Sequence, residues 1–279
     1  MKIGVMAESF RLDFSDALKV AKKLGASGIQ AYSDTQMIFP AMTAKQIVEV
    51  RSMMSDNGLE FSALCGDFGC DMYYTRDRKS IDKEKRIMEI AKALGTDVVT
   101  THIGVVPEDF DCPQYESMHE VCRELAEFAD SVGGHFAVET GPERAELLKK
   151  FLDGLGSRGV SVNLDPANLV MCAGDDPVAA VYTLKDYIVH THAKDGKQLK
   201  KVDTKTLYCP EYYGLQKGDW SCIEETPLGR GNVDWDNYLK ALKDIGYDGY
   251  LTVEREVGED PQADIALAIS FLTPKLKKA

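Results

Sequence analysis

Four side chains with the chemistry of metal ligands stand at the ends of four strand-like segments. They are Glu139 in HFAVET, Asp165 in VSVNLD, His192 in IVHTHAKD and Glu254 in YLTVE. Two glutamates, one aspartate and one histidine form an oxygen-rich set that suits a single Mn, Mg, Co or Zn ion. One such carboxylate alone more often caps a strand–helix junction, whereas four in register are the pattern of a shared site. We therefore predict one divalent metal bound by these residues.

The elements that would position these residues alternate between strand and helix along the whole chain. The predicted strands are Lys2–Met6, Ser27–Ala31, Glu60–Leu64, Asp97–His102, His135–Glu139, Val160–Asp165, Tyr187–His192 and Tyr250–Glu254. The predicted helices are Phe14–Leu24, Lys45–Asn57, Asp82–Leu94, Tyr115–Val132, Arg144–Leu155, Pro177–Leu184, Trp235–Ile245 and Pro261–Leu272. Such alternation without a break in composition favours one α/β domain with a parallel sheet.

A closed barrel explains this alternation better than an open sheet does. Several predicted helices end in a glycine just before the next strand, which turns the chain back toward the sheet; these are Gly25, Gly58, Gly95, Gly133 and Gly246. An open doubly wound sheet is the main alternative, but no GxGxxG follows the first strand. We predict a single (β/α)8 TIM barrel over residues 1–279, with the four candidate ligands converging at the carboxyl ends of its strands.

One connection of the predicted barrel is unusually long. Residues 193–232, after the seventh strand, are rich in Lys, Tyr, Gly and Trp. Long connections in compact domains are commonly lids, contact surfaces or disordered segments. The aromatic residues favour an ordered element, and the position after a barrel strand places it over the active-site face. A lid and a contact between subunits both remain open.

Further polar residues share the inner face with the candidate ligands. Because alternate strand residues point the same way, the inner positions include Ala137, Asn163, His190 and Thr252. We expect His190, one layer deeper than His192, to be a buried hydrogen-bonded partner rather than a ligand. His102, in TTHIG, is a candidate substrate contact. Glu8, just past the first strand, could line the rim or be an exposed loop carboxylate.

Composition excludes several classes of partner. A formal net charge of −12 argues against a nucleic-acid partner, which requires a clustered basic surface. No apolar run approaches the 18 or so residues of a membrane span, so no membrane partner is expected. The seven cysteines form no CxxC pair, and a secreted disulfide framework would be denser. This composition favours a reducing cytoplasm.

Five motifs in this order resemble a known family. VET, LDPAN, HTHAKDG, PLGRGNVDW and LTVERE are similar to the sugar phosphate isomerase/epimerase group, which belongs to the xylose isomerase-like TIM barrels. The resemblance extends from the first strand to the eighth. It implies that Glu139, Asp165, His192 and Glu254 bind one divalent metal, with Mn, Mg or Co preferred to Zn and Mn the first choice. It also implies a small carbohydrate substrate and a homo-oligomer.

The resemblance further implies a reaction. Members of this group polarise a ketose carbonyl and stabilise the resulting enediolate, and two glutamates act as acid and base. By position these are Glu139 and Glu254. Return of the proton to the same carbon from the opposite face gives epimerisation, and return to the neighbouring carbon gives isomerisation. The residues do not decide between the two outcomes.

The chain departs from the group at several positions. Ketose epimerases commonly carry a substrate-contacting His three residues after the sixth-strand Asp, where this chain has Asn168. Asn168 can hydrogen-bond a hydroxyl but cannot carry a proton. Arg230, in LGRGN, could bind a phosphate, a carboxylate or a sugar hydroxyl, or could be an exposed arginine. The endonuclease branch of the superfamily needs additional histidines that DPAN, EETPLGRG and FSALCG lack, so DNA repair is disfavoured.

Three functions therefore remain in order of preference. The first is a divalent-metal-dependent isomerase or epimerase of a small sugar or sugar derivative. The second is a lyase on the same fold, which would remove a leaving group by β-elimination as dehydratases and 3-keto-glycoside-cleaving enzymes do. The third is a non-catalytic sugar-binding barrel, which would not need two flanking glutamates.

Overall fold

Eight parallel strands close into a barrel in the computed structural model, which describes residues 1–278 apart from the side chain of Lys278. Ala279, the last residue of the predicted domain, lies outside the described residues. The barrel strands are β1 (Lys2–Met6), β2 (Gly28–Tyr32), β3 (Glu60–Cys65), β4 (Val98–Thr101), β5 (His135–Glu139), β6 (Val160–Leu164), β7 (Ile188–Ala193) and β10 (Tyr250–Val253). β1 pairs with both β2 and β10, which closes the barrel. The predicted barrel fold is confirmed.

The longer helices surround the barrel and bury an apolar face against it, and shorter helices lie in the connections. They are α1 (Phe14–Leu24), α2 (Ala44–Asp56), α3 (Asp71–Thr75), α4 (Arg78–Leu94), α5 (Pro113–Ser131), α6 (Ala145–Leu155), α7 (Pro166–Asn168), α8 (Pro177–Thr183), α9 (Thr204–Leu207), α10 (Trp235–Asp244) and α11 (Pro261–Lys278). In α1, Ala17, Leu18 and Ala21 are buried, which is the spacing of one helical face. Gly25 ends α1 with φ of 93°, as expected of a glycine that turns the chain toward the next strand.

The long connection after β7 is ordered and contains its own small sheet. β8 (Asp195–Gln198) pairs antiparallel with β9 (Ile223–Thr226), and we call residues 195–226 the mouth insertion. Its base is fixed by Asp195, whose carboxylate accepts hydrogen bonds from the backbone of Gly196, Gly229 and Val233 and from the indole of Trp235. The insertion therefore leaves and rejoins the barrel at one buried anchor.

The far end of the mouth insertion is held against α3. Tyr212 stacks on Tyr74 with ring centroids 4.4 Å apart, and the Tyr212 hydroxyl donates to Asp71 Oδ1 at 2.7 Å. Cys209 of the insertion forms a disulfide with Cys70. The expectation of reduced cysteines is therefore wrong for this pair. The two residues are 139 positions apart, so their spacing in the sequence carried no signal of pairing.

No helix within residues 1–278 is long and apolar enough to span a membrane.

Candidate metal centre and substrate pocket

The structure brings the four predicted ligands together at the carboxyl ends of four adjacent strands. In the order β5, β6, β7 and β10, these strands carry Glu139, Asp165, His192 and Glu254. His192 Nδ1 lies 3.3 Å from Asp165 Oδ2 and 3.3 Å from Glu254 Oε2. It is 3.5 Å from Glu139 Oε1. All four residues are buried, so three carboxylate oxygens surround one imidazole nitrogen inside the mouth of the barrel.

Asp165 combines two roles at the end of β6. Its Oδ1 accepts hydrogen bonds from the backbone N–H of Ala167 at 2.8 Å and of Asn168 at 2.9 Å, and so caps the short helix α7. Its Oδ2 faces His192. The capping role is therefore real, but it uses only one of the two carboxylate oxygens. The other oxygen is held in place for the cluster.

A hydrogen bond with Gln30 of β2 fixes the orientation of His192. Its Nε2 lies 3.0 Å from Gln30 Oε1, and the amide nitrogen of Gln30 donates to Thr100 Oγ1 at 2.9 Å. Because the Gln30 oxygen can only accept, we assign the hydrogen to His192 Nε2, although the amide nitrogen of Asn163 also lies 3.2 Å from this atom. This leaves Nδ1 as the lone-pair nitrogen in the neutral ring, facing the three carboxylates, as a metal ligand requires.

Polar residues inside the barrel, one layer below the cluster, orient Glu139 through hydrogen bonds. His190 lies with Nδ1 2.9 Å from Asn163 Oδ1 and Nε2 2.9 Å from Thr252 Oγ1. Asn163 Nδ2 donates to Glu139 Oε2 at 3.0 Å. Burial lowers the pKa of His190 to about 3, so the ring is neutral. His190 is thus the buried hydrogen-bonded partner that the sequence predicted.

The distances within the cluster fit a single divalent ion. With metal–ligand bonds of about 2.1 Å, neighbouring ligand atoms are about 3.0 Å apart in an octahedron and about 3.4 Å apart in a tetrahedron. The 3.3 to 3.5 Å separations around His192 Nδ1 lie close to the tetrahedral value. Burial opposes a charge on His192, yet Glu254 and Glu139 raise its pKa well above the usual value. The cluster therefore stabilises positive charge, which a metal ion would supply in place of the proton.

The two glutamates of the cluster differ in what surrounds them. Glu139 Oε1 lies 3.3 Å from His102 Nε2 and accepts a hydrogen bond from Asn168 Nδ2 at 3.0 Å. Burial alone would raise the pKa of Glu139, but His102 and His192 hold it well below the usual range. Glu139 is therefore an ionised carboxylate whose orientation is set by hydrogen bonds.

Glu254 is paired with a buried ammonium group instead. Lys194 Nζ donates to Glu254 Oε2 at 3.0 Å and also contacts Glu256. Burial raises the pKa of Glu254, but Lys194 and His192 together lower it to about 2. For Lys194, burial acts against the charge, yet Glu254 and Glu256 raise its pKa well above the usual value. Both glutamates therefore remain ionised, which is the state of a proton acceptor.

His102 is held between two carboxylates at the end of β4. Its Nδ1 lies 3.0 Å from Asp67 Oδ2, and its Nε2 faces Glu139. Asp67 in turn accepts the backbone N–H of Gly69 at 3.0 Å. The His102 side chain keeps 33% of its surface exposed, so the ring can contact a ligand while Asp67 fixes its direction.

A cavity of about 390 Å³ opens directly over Glu139 and Glu254. Its lining combines the cluster, the ends of neighbouring strands and the mouth insertion; the residues are His102, Glu139, Asn168, Met171, Lys194, Tyr208, Trp220, Ile223, Glu225, Glu254, Glu256 and Val257. A volume of this size lies near the lower end of the roughly 300–1,000 Å³ typical of small-molecule sites. The mouth insertion and the predicted ligand cluster therefore line one small-molecule pocket.

Comparison with known proteins agrees with this arrangement. The family described as xylose isomerase-like TIM barrel matches residues 18–275 of the chain. The chain belongs to this family. A xylose isomerase domain protein from Planctomyces limnophilus has a TM-score of 0.79 and 26% identity, over 99% of this chain and 97% of that one.

Curated relatives of this xylose isomerase-like barrel match only part of it. An inosose dehydratase of Clostridium perfringens (strain 13 / Type A) is 28% identical over 127 residues, which are 46% of this chain and 40% of the relative. An inosose isomerase of Bacillus licheniformis is 26% identical over 187 residues, 63% of this chain and 60% of the relative. The chain thus spans about half the length of the curated relatives it matches.

The structure does not bring Arg230 to the pocket of this xylose isomerase-like barrel. Its side chain is exposed and is not among the residues that line the cavity. The turn that carries it is anchored by Asp195, which accepts the Gly229 N–H, while the Arg230 N–H donates to the Pro227 carbonyl. These contacts turn Arg230 outward. The expectation that it binds substrate is therefore not supported by its position.

Glu8 also lies away from the pocket. It lines a separate cavity of about 420 Å³ beside α1, together with residues 35–37 after β2. Its Oε1 accepts the backbone N–H of Tyr32 at 3.2 Å, which folds the side chain back onto the barrel rim. Burial raises the pKa of Glu8 to about 7. It is neither an exposed loop carboxylate nor a lining residue of the substrate pocket.

Several residues that shape the pocket of this xylose isomerase-like barrel were missed in the sequence. Lys194 had a usable signal, because it stands two residues after His192 and so shares its face. Asp67 had none, since its role depends on a contact with His102 across 35 residues. Trp220 and Glu225 lie within the insertion. No periodicity in its sequence indicates that it folds back over the mouth of the barrel.

Proposed function

We propose that this protein is a divalent-metal-dependent isomerase or epimerase of a small sugar or sugar derivative. The observation that carries the proposal is the pair of ionised glutamates, Glu139 and Glu254, which lie on either side of His192 at the floor of a small pocket. A sugar-binding barrel would need neither a buried four-residue cluster nor two carboxylates kept ionised by separate partners. Membership of an enzymatic sugar-modifying family supports the same conclusion.

Each residue of the cluster has a definite task in this proposal. Glu139, Asp165, His192 and Glu254 would hold the metal, with Mn the first choice among Mn, Mg, Co and Zn. When bound, a divalent ion would polarise a substrate carbonyl and so acidify the neighbouring C–H.

Proton transfer falls to the two glutamates. Glu139 and Glu254 come from β5 and β10, which are separated by two strands in the barrel, so they reach a bound substrate from different sides. One removes the proton from the carbon beside the carbonyl, and the other returns a proton. Lys194 keeps Glu254 ionised, and His102 and Asn168 hold Glu139 in position.

A dehydratase is the second candidate, and a specific observation supports it. The relative from Clostridium perfringens is an inosose dehydratase. Elimination begins with the same removal of a proton beside a carbonyl and continues with loss of a hydroxyl group. His102 lines the cavity, with its Nδ1 held by Asp67 and its Nε2 beside Glu139, and in an elimination its Nε2 proton would pass to the departing hydroxyl. The two reactions therefore share residues and differ in the fate of the leaving group.

Deuterium wash-in from D2O, followed by NMR, tests the proposal. Metal-free protein and protein loaded separately with Mn, Mg, Co and Zn would be incubated with ketoses, keto-inositols and 3-keto-glycosides. Metal-dependent exchange at the carbon beside the carbonyl, with a rearranged product and no loss of water, is the expected result. Exchange accompanied by loss of water or of a glycosidic group would establish the lyase instead.

Ligand binding without exchange under any metal would contradict both enzymatic candidates and leave the sugar-binding barrel. The variant Glu49→Gln is a suitable control for this assay. Glu49 lies on α2 and forms only a surface pair with Lys45 at 3.8 Å, so its exchange rate should equal that of the wild type.

A further inference from the structure

The pocket carries an excess of negative charge. Four of its lining residues are glutamates, namely Glu139, Glu225, Glu254 and Glu256, and Asp165 lies in the cluster beneath them. The lining contains a single lysine, Lys194, and one histidine. Arg255 pairs with Glu225, and His102 pairs with a further carboxylate, Asp67. These six carboxylates exceed the charges of Lys194, Arg255, a protonated His102 and a divalent ion by one.

Lys194 is already engaged by carboxylates of the protein. Its ammonium group donates to Glu254 at 3.0 Å, contacts Glu256, and lies 3.9 Å from Glu225. An ammonium group has three hydrogens to donate; two of them are used by Glu254 and Glu256, and Glu225 lies beyond hydrogen-bond distance. Recruiting it to a phosphate or carboxylate would leave a buried glutamate without its partner.

The arginines near the mouth point elsewhere. Arg255 follows Glu254 directly, but its Nη1 donates to Glu225 at 2.6 Å and its Nε to Asp264 at 2.7 Å. Arg230 is exposed and lies outside the lining. No arginine is among the lining residues of the described chain, although bidentate guanidinium contacts are the usual means of binding phosphates and carboxylates.

The remaining wall of the pocket is apolar and aromatic. It consists of Met171, Tyr208, Trp220, Ile223 and Val257. Trp220 keeps 42% of its surface exposed although its edge packs against Tyr208, with ring centroids 5.4 Å apart. An exposed indole at a cavity mouth offers a flat face to an apolar ligand surface, such as the C–H face of a sugar or cyclitol ring.

We propose that the substrate is an uncharged cyclic keto-sugar or keto-polyol, and that phosphorylated sugars and sugar acids are rejected. This inference rests on the proposed function, because it names the substrate of the same site. Neutral hydroxyl groups can hydrogen-bond to carboxylates without desolvating a second anion beside them. A phosphate or carboxylate would face an excess of negative charge in a buried setting, where like charges repel strongly.

Matched pairs of ligands test the inference. Wash-in rates with Mn-loaded protein would be compared between neutral ketohexoses and their 6-phosphates, and between neutral keto-inositols and keto-uronates. Binding of each ligand would be measured separately by calorimetry on the Mn-loaded protein. We expect the neutral member of each pair to be preferred by about 100-fold or more, which corresponds to two tenfold steps of 1.4 kcal/mol.

The exchange and binding measurements together distinguish failure of the inference from failure of the proposed function. Faster exchange or tighter binding with the charged members would overturn the inference and leave the enzymatic function standing. Preferential binding of neutral members without exchange would support the ligand class while contradicting the proposed reaction. Equal binding of neutral and charged members would also overturn the inference.

A single substitution sharpens the test. Glu256 is 57% exposed and pairs with Lys194, so Glu256→Gln should fold normally and free part of the ammonium group. We expect the preference for neutral ligands to shrink by about tenfold, with Glu49→Gln unchanged. A Glu256→Gln variant that unfolds at the wild-type temperature but keeps the full preference would show that charge does not set the selectivity.

Discussion

The four-residue candidate metal site and the mouth insertion face the same pocket but are held in place by different means. The four residues of the cluster lie at the ends of adjacent parallel strands and rest on a hydrogen-bonded layer inside the barrel. The mouth insertion, residues 195–226, crosses the pocket and is fixed at a few points. These are the Asp195 anchor, the contact of Glu225 with Arg255, and the disulfide and tyrosines near α3.

Because of this difference, we expect the cluster to determine the chemistry of the pocket and the insertion to determine its shape. A shift of the cluster would require a shift of barrel strands, which share backbone hydrogen bonds on both sides. The insertion is held by side-chain contacts and one disulfide, so loss of a single contact would loosen only part of it. We therefore expect substitutions in the cluster to affect turnover, and substitutions at the insertion contacts to affect substrate affinity.

The largest effect should come from the cluster itself. Glu254→Gln preserves shape but removes the carboxylate that accepts a proton, so kcat for exchange should fall about 100- to 10,000-fold. Thermal unfolding should change little, because Lys194 keeps Glu256 and Glu225 as partners. Wash-in kinetics and a melting curve check both points. Undiminished exchange in this variant would remove Glu254 from the mechanism.

A smaller effect is expected where the insertion meets the barrel. Arg255→Gln would leave the buried carboxylate of Glu225 without its guanidinium partner, and hydrogen bonds to charged groups contribute about 1.5–3 kcal/mol. We expect KM to rise about tenfold with kcat nearly unchanged, and amide hydrogen exchange to accelerate in residues 196–226. Asp264→Asn is the matched control, since it breaks only the contact of Arg255 with α11. A fall in kcat alone would contradict the division between the two regions.

The disulfide should influence the pocket more weakly. Cys209→Ser, or reduction of the wild type, would release the far end of the insertion while Tyr212 still stacks on Tyr74. A few-fold rise in KM is the expected outcome, with Cys112→Ser as the control because Cys112 is a free cysteine. Alkylation of unreduced, denatured protein should modify five cysteines. Modification of all seven before reduction would show that Cys70 and Cys209 are not joined.

The smallest effect on turnover, but a clear one on stability, should come from Glu143. Burial raises the pKa of Glu143 from 4.5 to about 8, so the folded protein keeps a proton that the unfolded chain releases above pH 4.5. The stability from this proton is complete below pH 4.5 and is lost as the pH rises to 8. Glu143→Gln should therefore gain about 1–3 kcal/mol relative to the wild type between pH 5 and pH 9.

Denaturant unfolding across this pH range measures the gain. Glu143 lines a cavity shared with residues 202–205 of the insertion, so a loosened insertion at high pH should be seen there by hydrogen exchange in the wild type. Glu108→Gln, an exposed residue of the same cavity, serves as the control. Parallel pH profiles for Glu143→Gln and the wild type would argue against a buried proton at this position.

Most of the regular elements could be predicted because their signals are local. Each barrel strand was placed within one residue of its observed bounds, since an apolar run between glycines and charged residues marks a buried strand. Boundaries were less accurate where polar residues mask the helical period. The helix predicted from Asp82 begins at Arg78, capped by Asp77, and the final helix continues through Pro274 to Lys278. The helix α3 was missed because its five residues are too few to show a helical period.

The candidate site was predicted to the extent that it follows from strand register. Glu139, Asp165, His192 and Glu254 could be grouped because residues at the ends of parallel strands lie at one end of a barrel. Asn168 was placed correctly in the pocket by its position after Asp165. Arg230 was not, because a glycine-flanked turn has no periodicity that tells which way its side chain points.

By itself, the sequence determined the barrel and the location of its chemistry, because both depend on the alternation of residues along each strand and the repetition of strand and helix. Only the tertiary structure decided which side chains complete the pocket. Asp67 reaches His102, Arg255 reaches Glu225, and Cys209 reaches Cys70 across stretches of chain that share no period. Contacts of this kind depend on how the folded chain brings distant segments together. They therefore set the shape and charge of the pocket without leaving a pattern in the sequence.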